Sequence, residues 1–452
     1  TFHTTFVVDS GRPDSESWFI TFIKALKRSA LPRNATAVTF AELIRASDEA
    51  TRRLSALTLD PEYNDVMEKV ILRRSSRVLA GHLWIFSNEL RGSPKPFEPG
   101  SLVEVYDGSD RFLGIGYINP HSLIAVRLLT RDREPVDESF LRKRIRSAIE
   151  FRKKHLGGAD SYRAVYSEAD YLPGLIVDIY AGVAVVQFLT LGMDRMRDDV
   201  IAAIDEVVRP KAIVLRNDSR SRLLEGLTLD KQVVKGSCEP LPIDREGGLS
   251  LEIDPLKGQK TGFYLDQREN RIAFSKYAES GEALDLFSYS GAWGLQLAVR
   301  GMMTTCVDES ASALLQAERN AAVNGLSELV RLVREDVFDF LKRETSSGRT
   351  YSAVILDPPA FVKSGGRLRE ALRSYRELNA MAMRVVKQGG VLATSSCSHH
   401  IDRSAFIEVL RSAARDAERS ARIVEFRSQG PDHPVLLSVP ETEYLKCVFV
   451  AL

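Results

Sequence analysis

The stretch "EALDLFSYSGAWGLQLAVR" (282–300) decides how the carboxyl-terminal half of this chain folds. Its first residues read as a short buried strand, a turn of Ser, Tyr and Gly follows, and 291–300 reads as a helix. The same succession recurs four times. "TTCVDES" leads into a helix over 311–323, "VRLVRED" into one near 337–344, "YSAVILDPP" into one over 367–387, and "GGVLATSSCS" into one over 402–416. Five strand-then-helix units predict an open, mostly parallel sheet with helices on both faces, a doubly wound α/β domain over 255–452. The closing runs "RIVEFRSQG" and "ETEYLKCVFVAL" have no helix between them, which predicts an antiparallel ending to that sheet.

Upstream of that domain the patterns change. "YRAVYSEAD", "PGLIVDIYAGVAVVQFLT" and "KAIVLRND" read as strands, with a helix over 194–208 and a hairpin turning at Ala181-Gly182. Together with a basic helix over 137–155 they predict a mixed α/β middle domain over 137–254. Residues 66–136 hold short β-rich runs broken by Gly, Pro and Asn ("EKVILRR", "GSLVEVYD", "FLGIGYIN", "LIAVRLLT"), as in a small all-β barrel. Residues 1–65 carry no chemical motif and read as an accessory extension.

Composition narrows the function classes. A chain of 452 residues suggests two to three domains, and 44% apolar residues suffice for sizeable cores. No run of eighteen apolar residues suggests a membrane span, and the start shows no basic-then-apolar leader. The net charge of +1 makes no global case for nucleic acid. Cys238, Cys306, Cys397 and Cys447 lie far apart with no C-x-x-C pair. A disulfide framework and a structural zinc site are therefore not expected, and a reducing cytoplasm fits best.

Ligands of doubly wound sheets bind at the carboxyl ends of the strands. There "DLFSYSG" leaves the first strand, and Gly291 lets backbone approach a ligand closely. The G-x-G-x-x-G fingerprint of dinucleotide binding is missing, which weakens a dehydrogenase reading. Asp308 ends the second strand, placed to accept from two ribose hydroxyls. Asp336 ends the third and suits an adenine amino group as well as a helix cap. This succession resembles the class I S-adenosylmethionine-dependent methyltransferases. The resemblance implies that Asp285, Phe287, Tyr289 and Gly291 line the methionine and backbone side of that cofactor.

"VILDPPAF" (354–361) ends the fourth strand. Asp357 is an acceptor bordering cofactor and base, Pro358 and Pro359 stiffen the loop, and Phe361 is suited to stack on a base. D-P-P-x-F at a strand end resembles the catalytic loop of nucleobase methyltransferases. Cys397, in "TSSCSHH" at the end of the fifth strand, falls beside it. Carbon 5 of a pyrimidine is too weak a nucleophile to take a methyl group directly. A thiolate adding at carbon 6 activates it, while a protonated carboxyl at the ring nitrogen stabilises the developing charge. The thiol pKa is expected to be lowered for that task. Neither His399 nor His400 receives a role.

"LKGQKTGFYLDQRENR" (256–271), with "DLFSYSG", "ILDPPAF" and "SSCSHH", closely resembles the RlmI-like family of large-subunit ribosomal RNA cytosine-5 methyltransferases. "SRVLAGHLWIFSNEL" (76–90) resembles the start of their RNA-binding PUA domain, and "YSEADYLPGLIVDIY" (166–180) their middle domain. The likeness covers about 66–452. It implies S-adenosylmethionine as cofactor, a cytosine of 23S-type rRNA as substrate, Cys397 as nucleophile and Asp357 as its acidic partner. Lys260, Asp266 and Arg268 belong to a segment that covers the cofactor in such enzymes. Tyr171 replaces a usual glycine, and Ala360 stands where a two-cysteine mechanism needs Cys. RNA contact is expected from the barrel, the basic helix, and Arg369, Arg373 and Arg376 on one helical face. No metal and no membrane are expected, and a homodimer is compatible with the sequence. Two other readings stay open: methylation of an exocyclic amine with Cys397 structural, and a non-catalytic RNA-binding assembly factor.

Overall fold

The computed structural model describes residues 67–452 apart from Pro240, Pro242 and 362–367. The expectation for 1–65 lies outside the described residues. β1 (Glu68–Ile71), β2 (Trp84–Phe86), β3 (Leu102–Tyr106), β4 (Phe112–Ile118) and β5 (Ile124–Thr130) form one sheet in the order β1-β3-β4-β5-β2. Four of these strands follow the runs read from the sequence. The short β2 has no counterpart in that reading. On β4, a Cβ at Gly116 would fall 2.3 Å from the Arg127 carbonyl oxygen, so only glycine lets β4 and β5 close on each other at this bulge.

α1 (Glu138–His155) follows, capped by Asp137, whose side chain accepts from the Phe140 amide at 2.9 Å. β6 (Ser161–Tyr166), β7 (Leu175–Tyr180), β8 (Val183–Phe188), β9 (Ala212–Asn217) and β10 (Asp230–Lys235) make the second sheet, order β10-β9-β8-β7-β6. The β7–β8 hairpin turns at Ala181 and Gly182, with φ of 45° and 91°, in the positive region that tight hairpin turns use. Ala184, Val186 and Phe188 pack toward α1 and α2 (Arg197–Val208), whereas Val183 and Val185 pack toward the next domain. A sheet covered on both faces explains why β8 is apolar nearly throughout.

The basic helix reads differently in three dimensions. Arg152 is fully buried, bonded to the Asp170 carboxylate and, at 2.9 Å, to the Asp432 carbonyl. Arg142 and Arg146 pair with Glu206. Arg152 ties the helix to the catalytic domain, Arg142 and Arg146 hold it against α2 within the middle domain, and the stripe expected to grip RNA is partly spent on these contacts.

After the hairpin β11 (Ile243–Glu246) and β12 (Leu249–Glu252) comes the third sheet. β13 (Glu282–Leu286), β14 (Met303–Asp308), β15 (Val330–Arg334), β16 (Tyr351–Leu356), β17 (Val386–Ser396), β18 (Arg422–Arg427) and β19 (Lys446–Ala451) lie in the order β15-β14-β13-β16-β17-β19-β18. β13 to β17 are parallel, and β19 runs against both neighbours. The doubly wound sheet with an antiparallel ending is thus present. α3 (Arg268–Phe274) precedes it, and α4 (Ala292–Ala298), α5 (Ala311–Val323), α6 (Val337–Ser347), α7 (Leu368–Arg384) and α8 (Arg403–Asp416) connect its strands. Val354 and Leu356 of β16 face the core under α6, α7 and α8, while Ala353 and Ile355 face Trp293 and Phe274 on the other side. From β13 the chain winds outward to β15, then crosses back to β16 on the other flank. The loops after β13 and β16 therefore part and open a crevice at the carboxyl edge.

Candidate active site

The loop leaving β13 is held in an unusual backbone path. Phe287, Tyr289 and Gly291 have φ of 59°, 48° and 79°. Two non-glycine residues in this region imply strain of order 1–3 kcal/mol each, which persists only where the surroundings fix it. The fixing contacts are present. The Tyr289 amide donates to Asp308 Oδ2 at 2.9 Å, the Gly294 amide to Asp285 Oδ2 at 2.8 Å, and Asn320 Nδ2 to the Ser290 carbonyl at 3.1 Å. Tyr289 OH accepts from the Gln259 amide at 3.0 Å, clasping the K-G-Q-K-T-G loop over the crevice.

Polar atoms are left over here. Asp285 Oδ1, Ser288 Oγ and Ser290 Oγ are buried without a protein partner, the condition a polar ligand relieves. Burial pushes the Asp285 carboxyl up to about 8, opposed by the Gly294 amide. Asp336 caps α6 through the Asp339 amide at 3.0 Å. These residues fit a polar cofactor spanning the ends of β13, β14 and β15.

On the other side of the crossover, Leu356 and Thr394 are register partners. Asp357 and Cys397 therefore emerge from adjacent strand ends. Asp357 Oδ1 accepts from Gln267 Nε2 at 3.0 Å and Oδ2 from Trp293 Nε1 at 3.1 Å. Gln267 Nε2 also reaches Ser395 Oγ at 3.1 Å. Burial raises the Asp357 carboxyl above its usual range, against these two donors and the Lys260 charge. Cys397 is half-buried. Contrary to the lowering expected from the sequence, burial raises its thiol, Lys260 opposes, and Asp357 and Asp266 add to the rise.

Lys260 Nζ lies 2.7 Å from Asp266 Oδ2, which also accepts from Tyr444 OH at 2.5 Å. Burial alone would raise Asp266. Lys260, His433 and the two bonds outweigh it and hold the carboxyl below the usual carboxylate range. A cleft of about 770 Å³ opens beside this group, with Arg163, Arg216 and Lys231 on the middle sheet facing Lys257, Lys260 and Tyr264.

Other expected site residues sit elsewhere. Arg268 is buried against Asp244 at 3.1 Å and the Ser161 carbonyl at 2.5 Å, as a strut between domains. Phe361 packs edge-on against Tyr375, ring centres 4.8 Å apart, so part of its surface is already committed to the core. Pro358 is buried and Pro359 exposed. Arg376 is held in a two-point pair by Asp416 at 2.5 and 2.6 Å, whereas Arg369 and Arg373 have no ion pair among the described residues.

The comparisons bear on this arrangement. Residues 70–131 match the family described as a PUA-like domain, and 270–404 match one described as Conserved hypothetical protein 95. A curated relative from Pseudoalteromonas atlantica, named Ribosomal RNA large subunit methyltransferase I, is 37% identical over 87% of this chain and 98% of its own. The chain belongs to the ribosomal RNA large subunit methyltransferase I family. A member from Klebsiella pneumoniae is 35% identical over 84% of this chain and 94% of its own. A solved structure assigned to the SAM-dependent methyltransferases of Streptococcus mutans shares the fold, with TM-score 0.73 at 21% identity over 85% of this chain and all of that one. Another methyltransferase structure, complexed with SAH, has TM-score 0.75 at 20% identity over the same shares.

Gln267, Trp293, Ser395 and Tyr444 escaped the sequence reading of this family site. Gln267 lay inside a quoted motif, and a Trp just after the glycine turn was a usable signal. For Tyr444, far along the chain from Lys260, no local signal exists. Among the described residues no helix is long and apolar enough to cross a membrane, and no cluster of His, Cys, Asp and Glu could hold a metal ion.

Proposed function

We propose that this protein methylates carbon 5 of a cytosine in large-subunit rRNA through a covalent Cys397 adduct. The coarser statement, an S-adenosylmethionine-dependent rRNA methyltransferase, follows from family and fold. The finer one rests on a single observation: Asp357 and Cys397 leave adjacent parallel strands at the crossover, beside the crevice that fits the cofactor. Asp285, Tyr289, Gly291, Asp308 and Asp336 would hold S-adenosylmethionine, which when bound supplies an electrophilic methyl group for carbon 5.

The chain's own residues do the rest. Cys397, as thiolate, forms a bond to carbon 6, and the carbon 5–carbon 6 double bond opens. Asp357, whose carboxyl burial raises above its usual range, would as the acid donate to the ring nitrogen where negative charge develops. Gln267 and Trp293 fix the orientation of its carboxyl. Loss of the carbon 5 proton then re-forms the double bond as the sulfur–carbon 6 bond breaks and Cys397 leaves as thiolate. The cleft between middle and catalytic sheets, where Lys257 forms no salt bridge among the described residues, and the PUA-like barrel would carry RNA phosphates. The middle domain over 137–254 supplies one wall of that cleft.

A second reading, methylation of an exocyclic amine, has one observation in its favour: burial raises the Cys397 thiol, as it would for a structural cysteine. Mass spectrometry of nucleosides from unmodified rRNA incubated with the protein and S-adenosylmethionine separates the two. One new 5-methylcytidine, absent with Cys397→Ala, is expected. An N-methylated base, or full activity in Cys397→Ala, would overturn the proposal.

A further inference from the structure

Lys446 opens β19 directly opposite Ser396 in the antiparallel register. It is 5% exposed, and its ammonium donates to the Ser398 carbonyl at 2.6 Å and the Tyr444 carbonyl at 2.7 Å. Among the described residues it forms no salt bridge. A buried cation without a carboxylate is costly, and burial brings its pKa down to about 8, against the pull of Cys397, Glu443 and Asp402. Tying two carbonyls needs only a neutral donor such as an amide. What a full charge adds is the ability to stabilise an anion.

The anion formed nearby is the Cys397 thiolate. Cys397 sits between Ser396, the register partner of Lys446, and Ser398, whose carbonyl Lys446 holds. Lys260, Asp357, Asp266, Tyr264 and Tyr375 face the same thiol from other elements. Asp357 and Asp266 disfavour the thiolate, and Lys260 is already engaged by Asp266 at 2.7 Å. Lys446 is the cation at this site without a carboxylate partner.

We infer that Lys446 is a positioning residue for the methyl transfer: it fixes the Ser396–Ser398 turn and supplies the uncompensated positive charge that favours the Cys397 thiolate. This rests on Cys397 being the nucleophile. The test reads the thiol itself. Alkylation of Cys397 by iodoacetamide in the full-length protein is followed by peptide mass spectrometry from pH 6 to 10, for wild type, Lys446→Gln, Lys446→Met and Lys446→Arg. Removing a positive charge from the turn that carries Cys397 disfavours its thiolate, so both neutral variants should move the midpoint up. Lys446→Arg should keep it near wild type, and calorimetric S-adenosylhomocysteine affinity should stay within about twofold. A Lys446→Gln midpoint that coincides with wild type would reduce Lys446 to a loop tie and overturn the proposal.

Should the neutral variants fail to fold, the wild type carries the test, because the coupling is reciprocal. Capping Cys397 with iodoacetamide removes its thiolate, so the Lys446 ammonium should then titrate at lower pH by nitrogen-15 NMR. An unmoved midpoint overturns the inference. Neither readout depends on the methylated product, so the two failures stay distinguishable: normal methylation by Cys397→Ala would sink the cytosine mechanism, and with it this role for Lys446, even where the thiol midpoint moves.

Discussion

Gln267→Leu tests whether Asp357 works as a proton-holding carboxyl. Gln267 is buried, donates to Asp357 Oδ1 at 3.0 Å and Ser395 Oγ at 3.1 Å, and accepts from Asn270 Nδ2 at 2.6 Å. Leucine roughly keeps the volume and deletes all three bonds. A hydrogen bond to an ionised group contributes about 1.5–3 kcal/mol, and one pKa unit corresponds to about 1.4 kcal/mol. The lost donor favoured the carboxylate, so its removal should raise Asp357, already raised by burial, by a further one to two units or so. If protonated Asp357 serves the reaction, the alkaline limb of kcat moves to higher pH by that amount. Folding stability should fall by about 1–3 kcal/mol, because Asn270 and Ser395 lose a buried partner. Initial rates of tritium transfer from methyl-labelled S-adenosylmethionine to unmodified rRNA across the pH range, with thermal unfolding alongside, read both effects. A folded variant whose limb stays put, or moves to lower pH, would refute a proton-holding Asp357.

Asp285 gives a stability signature. Its folded pKa of about 8 exceeds the reference 3.8, so the folded protein keeps a proton that the unfolded chain releases, and stability falls as pH rises between those values. Asp285→Asn should gain Tm over wild type progressively across that window and level off above it; parallel Tm profiles would contradict the burial of this carboxyl. Gly294→Ala pits helix propensity against packing. Propensity alone promises about 1 kcal/mol of stabilisation, but the new Cβ would meet Cys306 Sγ at 2.7 Å and Thr304 Cγ2 at 2.9 Å, so a net loss of about 1–3 kcal/mol is expected in chemical denaturation. Arg373→Ala should weaken rRNA binding and reduce its salt slope by about one, while Arg376→Ala, whose guanidinium Asp416 already holds, should change filter-binding affinity little. Equal losses in the two would show that the Asp416 pair opens on RNA.

How much was legible in the sequence divides by range. Helix periods, strand runs and strand-end acids are local patterns, and α5 ends where its pattern does, at Val323. The Ala181-Gly182 turn was readable for the same reason: a turn is a contract between neighbours in the chain. Asp357 and Cys397 could be paired from sequence because strand order in a doubly wound sheet follows from its alternation. Their surroundings could not. The Gln267 and Trp293 donors reach Asp357 from other elements, and Lys446 reaches the Cys397 turn across an antiparallel pairing of strands far apart in the chain. Arg152 and Arg376 looked like RNA-facing charges because their partners, Asp170, Asp432 and Asp416, belong to other elements. The thiol was expected to be lowered because a nucleophilic cysteine must react as its thiolate. Desolvation, which raises it, depends on how much chain from everywhere else closes over the site, and that is set only when the sheets pack.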